Sequence, residues 1–191
     1  TAQKQVKWDC SSVDFTKSGT YTVNGEVQTP EYPFPLANGY GDPVILPWEG
    51  KYYFIATNDN TNDVGLYVRE ADTVEGLFAE GIEQHIILDY DEERNFVQTF
   101  WAPEFHMIGG ELYILFAVGG KQWSPQCHLM KFKKGGSIIS PESWEEPIRV
   151  VRQDGSYLGI KGITLDMTYI KSGKDSYMVW SYREHCMAPG D

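Results

Sequence analysis

A chain of 191 residues with 41% hydrophobic and 14% aromatic side chains has the material for a sizeable core, which excludes a disordered polymer. Its formal charge of -11 and pI near 4.8 repel phosphate backbones, so nucleic acid and anionic membrane surfaces are excluded as electrostatic partners and a neutral ligand such as a sugar fits better. The longest clean apolar run, Leu112 to Val118, is far short of the roughly 18 residues of a membrane span, so no membrane insertion is expected.

The N-terminal stretch Thr1 to Trp8 is polar and carries no apolar signal-peptide region, as a mature or trimmed N-terminus would. Trp8, Val13-Asp14 and Lys17-Ser18-Gly19-Thr20-Tyr21-Thr22-Val23-Asn24-Gly25-Glu26-Val27 follow. They resemble the last strands of bacterial immunoglobulin-like domains appended to secreted enzymes. Thr29-Pro30-Glu31-Tyr32-Pro33-Phe34-Pro35 then reads as an extended, proline-stiffened linker. The expected division is therefore residues 1–36 as the end of such a domain plus linker, and 37–191 as a second domain.

From Asp42 onward one pattern recurs three times, and repeats decide a fold before any single motif does. Asp42-Pro43-Val44-Ile45-Leu46 leads through a tight turn at Gly50 into Tyr52-Tyr53-Phe54-Ile55-Ala56. Ala102-Pro103-Glu104-Phe105-His106 leads in the same way through Gly110 into Leu112-Tyr113-Ile114-Leu115-Phe116. Asp166-Met167-Thr168-Tyr169-Ile170 leads through Gly173 into Tyr177-Met178-Val179-Trp180. Val64 to Val68 and His128 to Phe132 supply third strands after polar loops, and no segment reads as a long helix. About four short strands in each unit of roughly 60 residues is the pattern of a β-propeller blade, so an all-β propeller is expected. A closed ring needs at least four blades, and about two and a half are present, so the sequence reads as a fragment.

Asp42, Ala102 and Asp166 open the strand before the turn in their units, which places them at one end of the central channel. Two of the three are carboxylates. Glycoside hydrolysis needs a pair of carboxyl groups, one to protonate the leaving oxygen and one to activate water or attack carbon. Asp42 lies in Gly41-Asp42-Pro43, where glycine lets a substrate approach and proline fixes the chain direction, as suits a base. Asp166 lies between Leu165 and Met167, which reads as a partly buried carboxylate able to raise a neighbouring acid's pKa. Taken singly, each aspartate reads equally as a turn or capping residue. Equivalence within a repeat is what favours the functional reading.

Gly-Asp-Pro-Val-Ile at 41–45, Phe-Trp-Ala-Pro-Glu at 100–104 and Leu-Asp-Met-Thr-Tyr at 165–169, followed by Val-Trp-Ser at 179–181, together resemble glycoside hydrolase family 43. The resemblance implies a five-bladed propeller that hydrolyses arabinose- or xylose-containing polysaccharides or oligosaccharides with inversion, most readily as an α-L-arabinofuranosidase, with β-D-xylosidase as the near alternative. It assigns Asp42 as general base and Asp166 as pKa modulator, and it places Glu104 as a residue shaping the pocket. Trp101 offers an indole face to a pentose ring or packs in the core. The family's general acid is a glutamate in a Glu-Gly-Pro motif that this sequence lacks, so it is expected after residue 191. The competing reading is a non-catalytic carbohydrate-binding propeller. Either reading gives a neutral pentose-containing carbohydrate as partner, a monomer, and a secreted or cell-surface bacterial protein.

The remaining candidates point to no cofactor. Cys10, Cys127 and Cys186 have no CxxC spacing and read as buried or idle thiols, and His85, His106, His128 and His185 have no metal-ligand spacing and read as structural or exposed. Asn58-Asp59-Asn60-Thr61-Asn62-Asp63 lacks the EF-hand spacing and reads as a solvated loop. No metal is therefore expected. Trp8, Trp48, Trp123, Trp144 and Trp180 read as core or blade-to-blade contacts.

Overall fold

The computed structural model describes residues 5–28, 35–159 and 161–184, and the chain divides into two units, Thr1–Leu36 and Ala37–Asp191. The proline-rich stretch 29–34, His185 and Cys186 lie outside the described residues.

In the first unit, strand β1 (Val6–Asp9) pairs antiparallel with β2 (Asn24–Val27), Trp8 facing Gly25. A Cβ on Gly25 would come within 2.7 Å of the Trp8 ring, so glycine there admits the indole. Trp8 is nonetheless 60% exposed, contrary to its reading as a core residue. A two-stranded ladder has no facing sheet against which to bury an indole. An immunoglobulin sandwich needs two packed sheets, and the described residues of this unit supply one ladder.

The second unit is all-β. Its first sheet runs β3 (Tyr40–Trp48), β4 (Lys51–Asn58), β5 (Leu66–Ala71) and β6 (His85–Leu88), in that spatial order. The second runs β7 (Gln98–Ile108), β8 (Glu111–Gly119), β9 (Gln126–Lys131) and β10 (Ile148–Arg149). The third has β11 (Ile163–Ser172) paired with β12 (Asp175–Arg183). Each sheet is a meander in chain order, as in the blades of a propeller. Among the described residues, the only helices are three short 3-10 turns, and none is long and apolar enough to cross a membrane.

Strand β8 explains why Leu112 to Val118 is apolar without alternation. Leu112, Ile114, Phe116 and Val118 pack with Tyr53, Ile55, Leu66 and Val68 of the first sheet. Leu115, on the opposite face, packs with Cys127, Leu158 and Met167 toward the third. A strand between two neighbouring sheets must be apolar on both faces, and full burial of each such side chain contributes about 1.5–3 kcal/mol. Trp144 is buried, Trp180 joins the cluster around Met167, and Trp48 packs against the first core.

The three anchors lie inside their strands rather than at the start. The inner strands β3, β7 and β11 each lose register where the anchor sits, between Gly41 and Val44, Trp101 and Glu104, and Leu165 and Thr168. Asp42, Ala102 and Asp166 themselves adopt φ of 50°, 45° and 52°. Left-handed backbone costs a non-glycine residue about 1–2 kcal/mol. Its presence at three equivalent bulges marks a built feature that re-aims a side chain. Gly41 is not required by its own backbone: an added methyl would touch Thr57 Cβ at 3.5 Å, an ordinary contact.

His128 is structural. Its ring stacks on Phe116 and meets Phe96 edge-on, Nδ1–H donates to the Gln126 carbonyl at 2.8 Å, and burial drives its pKa down to about 4. Because this lies below the unfolded value of about 6.5, the unfolded chain takes up the proton first. Stability should hold above about pH 6.5 and fall by about 3 kcal/mol as pH drops to about 4. Urea midpoints measured across that range should show the loss, and His128→Gln should flatten it.

Candidate active site

The candidate site is where the bulges of β3 and β11 carry Asp42 and Asp166. The Thr57 hydroxyl, on the neighbouring strand β4, donates to Asp42 Oδ2 at 2.8 Å and accepts the Ala102 N–H at 2.9 Å. Thr57 is only 7% exposed, so this hydroxyl is the sheltered link between a solvent-facing carboxylate and the bulge of the next sheet. The local reason is the bulge itself, which turns the Ala102 amide out of the β7–β8 ladder and leaves it needing another acceptor.

The bulge turns Asp166 away from its buried neighbour Met167 toward the exposed side of the strand, while its carboxyl remains partly desolvated. Its carboxyl is still held above the ordinary range. Partial desolvation is the first cause, a hydrogen bond with Ser181 opposes it, and the negative charges of Asp42 and Glu104 add to the rise. Carboxyl groups from β3, β7 and β11 therefore share one electrostatic neighbourhood. The like charges of Asp42 and Glu104 there favour the protonated form of Asp166.

Glu104 does not stand alone: its Oε2 lies 2.6 Å from His106 Nε2, a pairing missed when His106 is read only by metal spacing. Trp101 donates its indole N–H to Asp63 Oδ2 at 2.8 Å and meets Trp123 edge-on, with ring centroids 6.2 Å apart. The Asn58–Asp63 loop is therefore more than a solvated turn. Asn58 is only 2% exposed, the Asp63 carbonyl accepts the Phe100 N–H at 2.9 Å, and a hydrogen bond with Asp63 raises the Asp59 carboxyl. This loop fixes the indole plane beside the Ala102 bulge. A run of Asn and Asp gives no hint of it, because the partners lie about 40 residues further along the chain.

Among the described residues, no three His, Cys, Asp or Glu side chains group so as to hold a metal ion. Cys127 is buried, and its thiol is pushed up to about 11, chiefly by desolvation; Cys10 is free and exposed.

No known family profile matches the chain. It is 39% identical over 85 residues to α-L-arabinofuranosidase B of Pyricularia oryzae, covering 44% of this chain and 17% of that protein. It is 29% identical over 152 residues to an extracellular exo-α-(1→5)-L-arabinofuranosidase of Streptomyces avermitilis, covering 78% of this chain and 29% of that one. The chain is a distant homologue of α-L-arabinofuranosidases. It spans less than half the length of either relative. Among solved structures, an α-L-arabinofuranosidase from Lactobacillus brevis superposes with a TM-score of 0.63 at 23% identity, covering 78% of this chain and 46% of that one. The fold is thus that of the propeller glycoside hydrolases.

Replacing Thr57 by valine keeps the shape but leaves the buried Ala102 N–H without an acceptor and Asp42 without its donor. A stability loss of about 1–3 kcal/mol is expected. Chemical denaturation of Thr57→Val beside Thr57→Ser, which keeps the hydroxyl, measures it.

Proposed function

We propose that the protein carrying this chain is an inverting glycosidase of family 43 type, acting on arabinose- or xylose-containing oligosaccharides or polysaccharides. α-L-Arabinofuranosidase is the leading activity and β-D-xylosidase the alternative. The observation that carries this is the placement of two aspartates at equivalent bulges of two inner strands, with the charge of Asp42 felt at Asp166. The names of the distant relatives support the sugar.

In this reading Asp42 is the general base. Thr57 occupies one of its oxygens, leaving Oδ1 to take a proton from a water attacking the anomeric carbon. Asp166 orients the substrate and, by its own charge, raises the pKa of the proton donor. We place that donor outside residues 1–191, on a carboxyl group about 6.5–9.5 Å from Asp42, the separation that leaves room for water in an inverting mechanism. Against Glu104 as that donor stands the 2.6 Å contact of its Oε2 with His106 Nε2. Trp101, its edge fixed by Asp63, presents an aromatic face to the pentose ring. The Streptomyces relative is named as extracellular, which supports a secreted protein.

Asparagine tolerates left-handed backbone, so Asp42→Asn should keep the fold while losing the base. In the full-length protein, kcat on aryl α-L-arabinofuranosides or β-D-xylosides should fall at least ~100-fold. Unimpaired turnover would remove Asp42 from the role. Arabinan binding by the unaltered protein without any turnover would make it a carbohydrate-binding propeller instead.

A further inference from the structure

We propose that His106 is a positioning residue for the carboxylate site, clasping Glu104 of β7 and linking it through Thr168 to the strand that carries Asp166. The proposal deepens the reading of Asp166 as a tuned carboxylate and rests on it.

The geometry is specific to one atom. His106 Nε2 lies 2.6 Å from Glu104 Oε2 and 3.4 Å from Thr168 Oγ1 of β11, while the Tyr169 ring meets the imidazole edge-on at 6.2 Å. The imidazole therefore reaches from the inner strand of the second sheet to that of the third. Thr168 directly follows the bulge that turns Asp166 outward. The side chains of His106 and Glu104 are only 18% and 32% exposed, so the pair is sheltered enough to hold one geometry.

Glu104 gains a consequence from this clasp. Without the imidazole, the open third of the Glu104 side chain gives its carboxylate an outward route to hydration. Pinned, it keeps that charge facing Asp166, where it opposes ionisation. The other groups facing Asp166 are Asp42 from β3, the Cys127 thiol from β9 and Ser181 from β12. Around His106 stand Glu104 on its own strand, Tyr113 across the β7–β8 ladder, and Thr168 and Tyr169 from β11. Tyr113 pairs in turn with Lys131, which is bound to Glu111.

The test follows the Asp166 carboxyl by NMR titration in protein labelled with 13C-aspartate, using Asp166→Asn to assign the signal. His106→Leu should lower the Asp166 midpoint by about half a unit or more. His106→Gln keeps a donor without a titratable ring and should restore it, which loss of packing would not do. An unchanged or raised midpoint in the leucine variant, or no recovery with glutamine, overturns the proposal. Should the leucine variant fail to fold, Glu104→Gln keeps the shape and removes the charge: it must lower the midpoint, and an unchanged value overturns the proposal equally. None of these readouts needs turnover, so they stand apart from the glycosidase reading, which the aryl glycoside assay tests separately.

Discussion

Each inner strand leaves its hydrogen-bonded ladder at its anchor residue, which is held in left-handed backbone, and β7 does so a second time at Thr99. The rest of the candidate site depends on this constraint. A regular strand would send Asp42 and Asp166 alternately to one sheet face or the other, into the packing between blades. The bulge turns them to solvent and at the same time releases the Ala102 amide, which needs a new acceptor. Thr57 supplies it and spends its own proton on Asp42. Strain at three positions, about 1–2 kcal/mol each, is offset by the packing between the sheets.

That packing is concentrated on β8. Because its two faces enter two different cores, the strand couples the first sheet to the third through Phe116 on one side and Leu115 on the other. His128 sits in the same layer as a neutral ring, stacked on Phe116. Arg69, buried in the first sheet, takes a comparable structural role. Its guanidinium lies 4.9 Å over the Tyr40 ring and 5.5 Å over Phe54, and donates to the Leu77 carbonyl. The buried Arg69 charge is thus covered by two aromatic faces and a backbone acceptor.

The repeat was legible because blades reuse one hydrophobic pattern, so Asp42, Ala102 and Asp166 align in the sequence as they do in the fold. Their backbone was not legible. A left-handed φ at Ala102 has no residue-type signature, and the strand boundaries drawn from hydrophobicity stopped at the anchors, whereas the ladders run past them to Tyr40, Gln98 and Ile163. Thr57 and His106 were invisible for a different reason. Each acts through a partner on another strand, and one threonine or histidine in an apolar run looks like a packing residue until the sheets are assembled. Asp63 was hidden by its neighbours: six consecutive polar residues read as solvent-facing, although the first is buried and the last holds an indole.

The Thr57 hydroxyl bridges a carboxylate on one sheet and a main-chain amide on the next. The spacing between those sheets and the aim of the carboxylate are therefore a single degree of freedom. A volume change in the apolar layer that shifts one sheet against the other therefore acts on the aim of Asp42 as well. Core volume and the placement of the carboxylate would then vary together, and the residues that set that placement would include buried ones that never touch it.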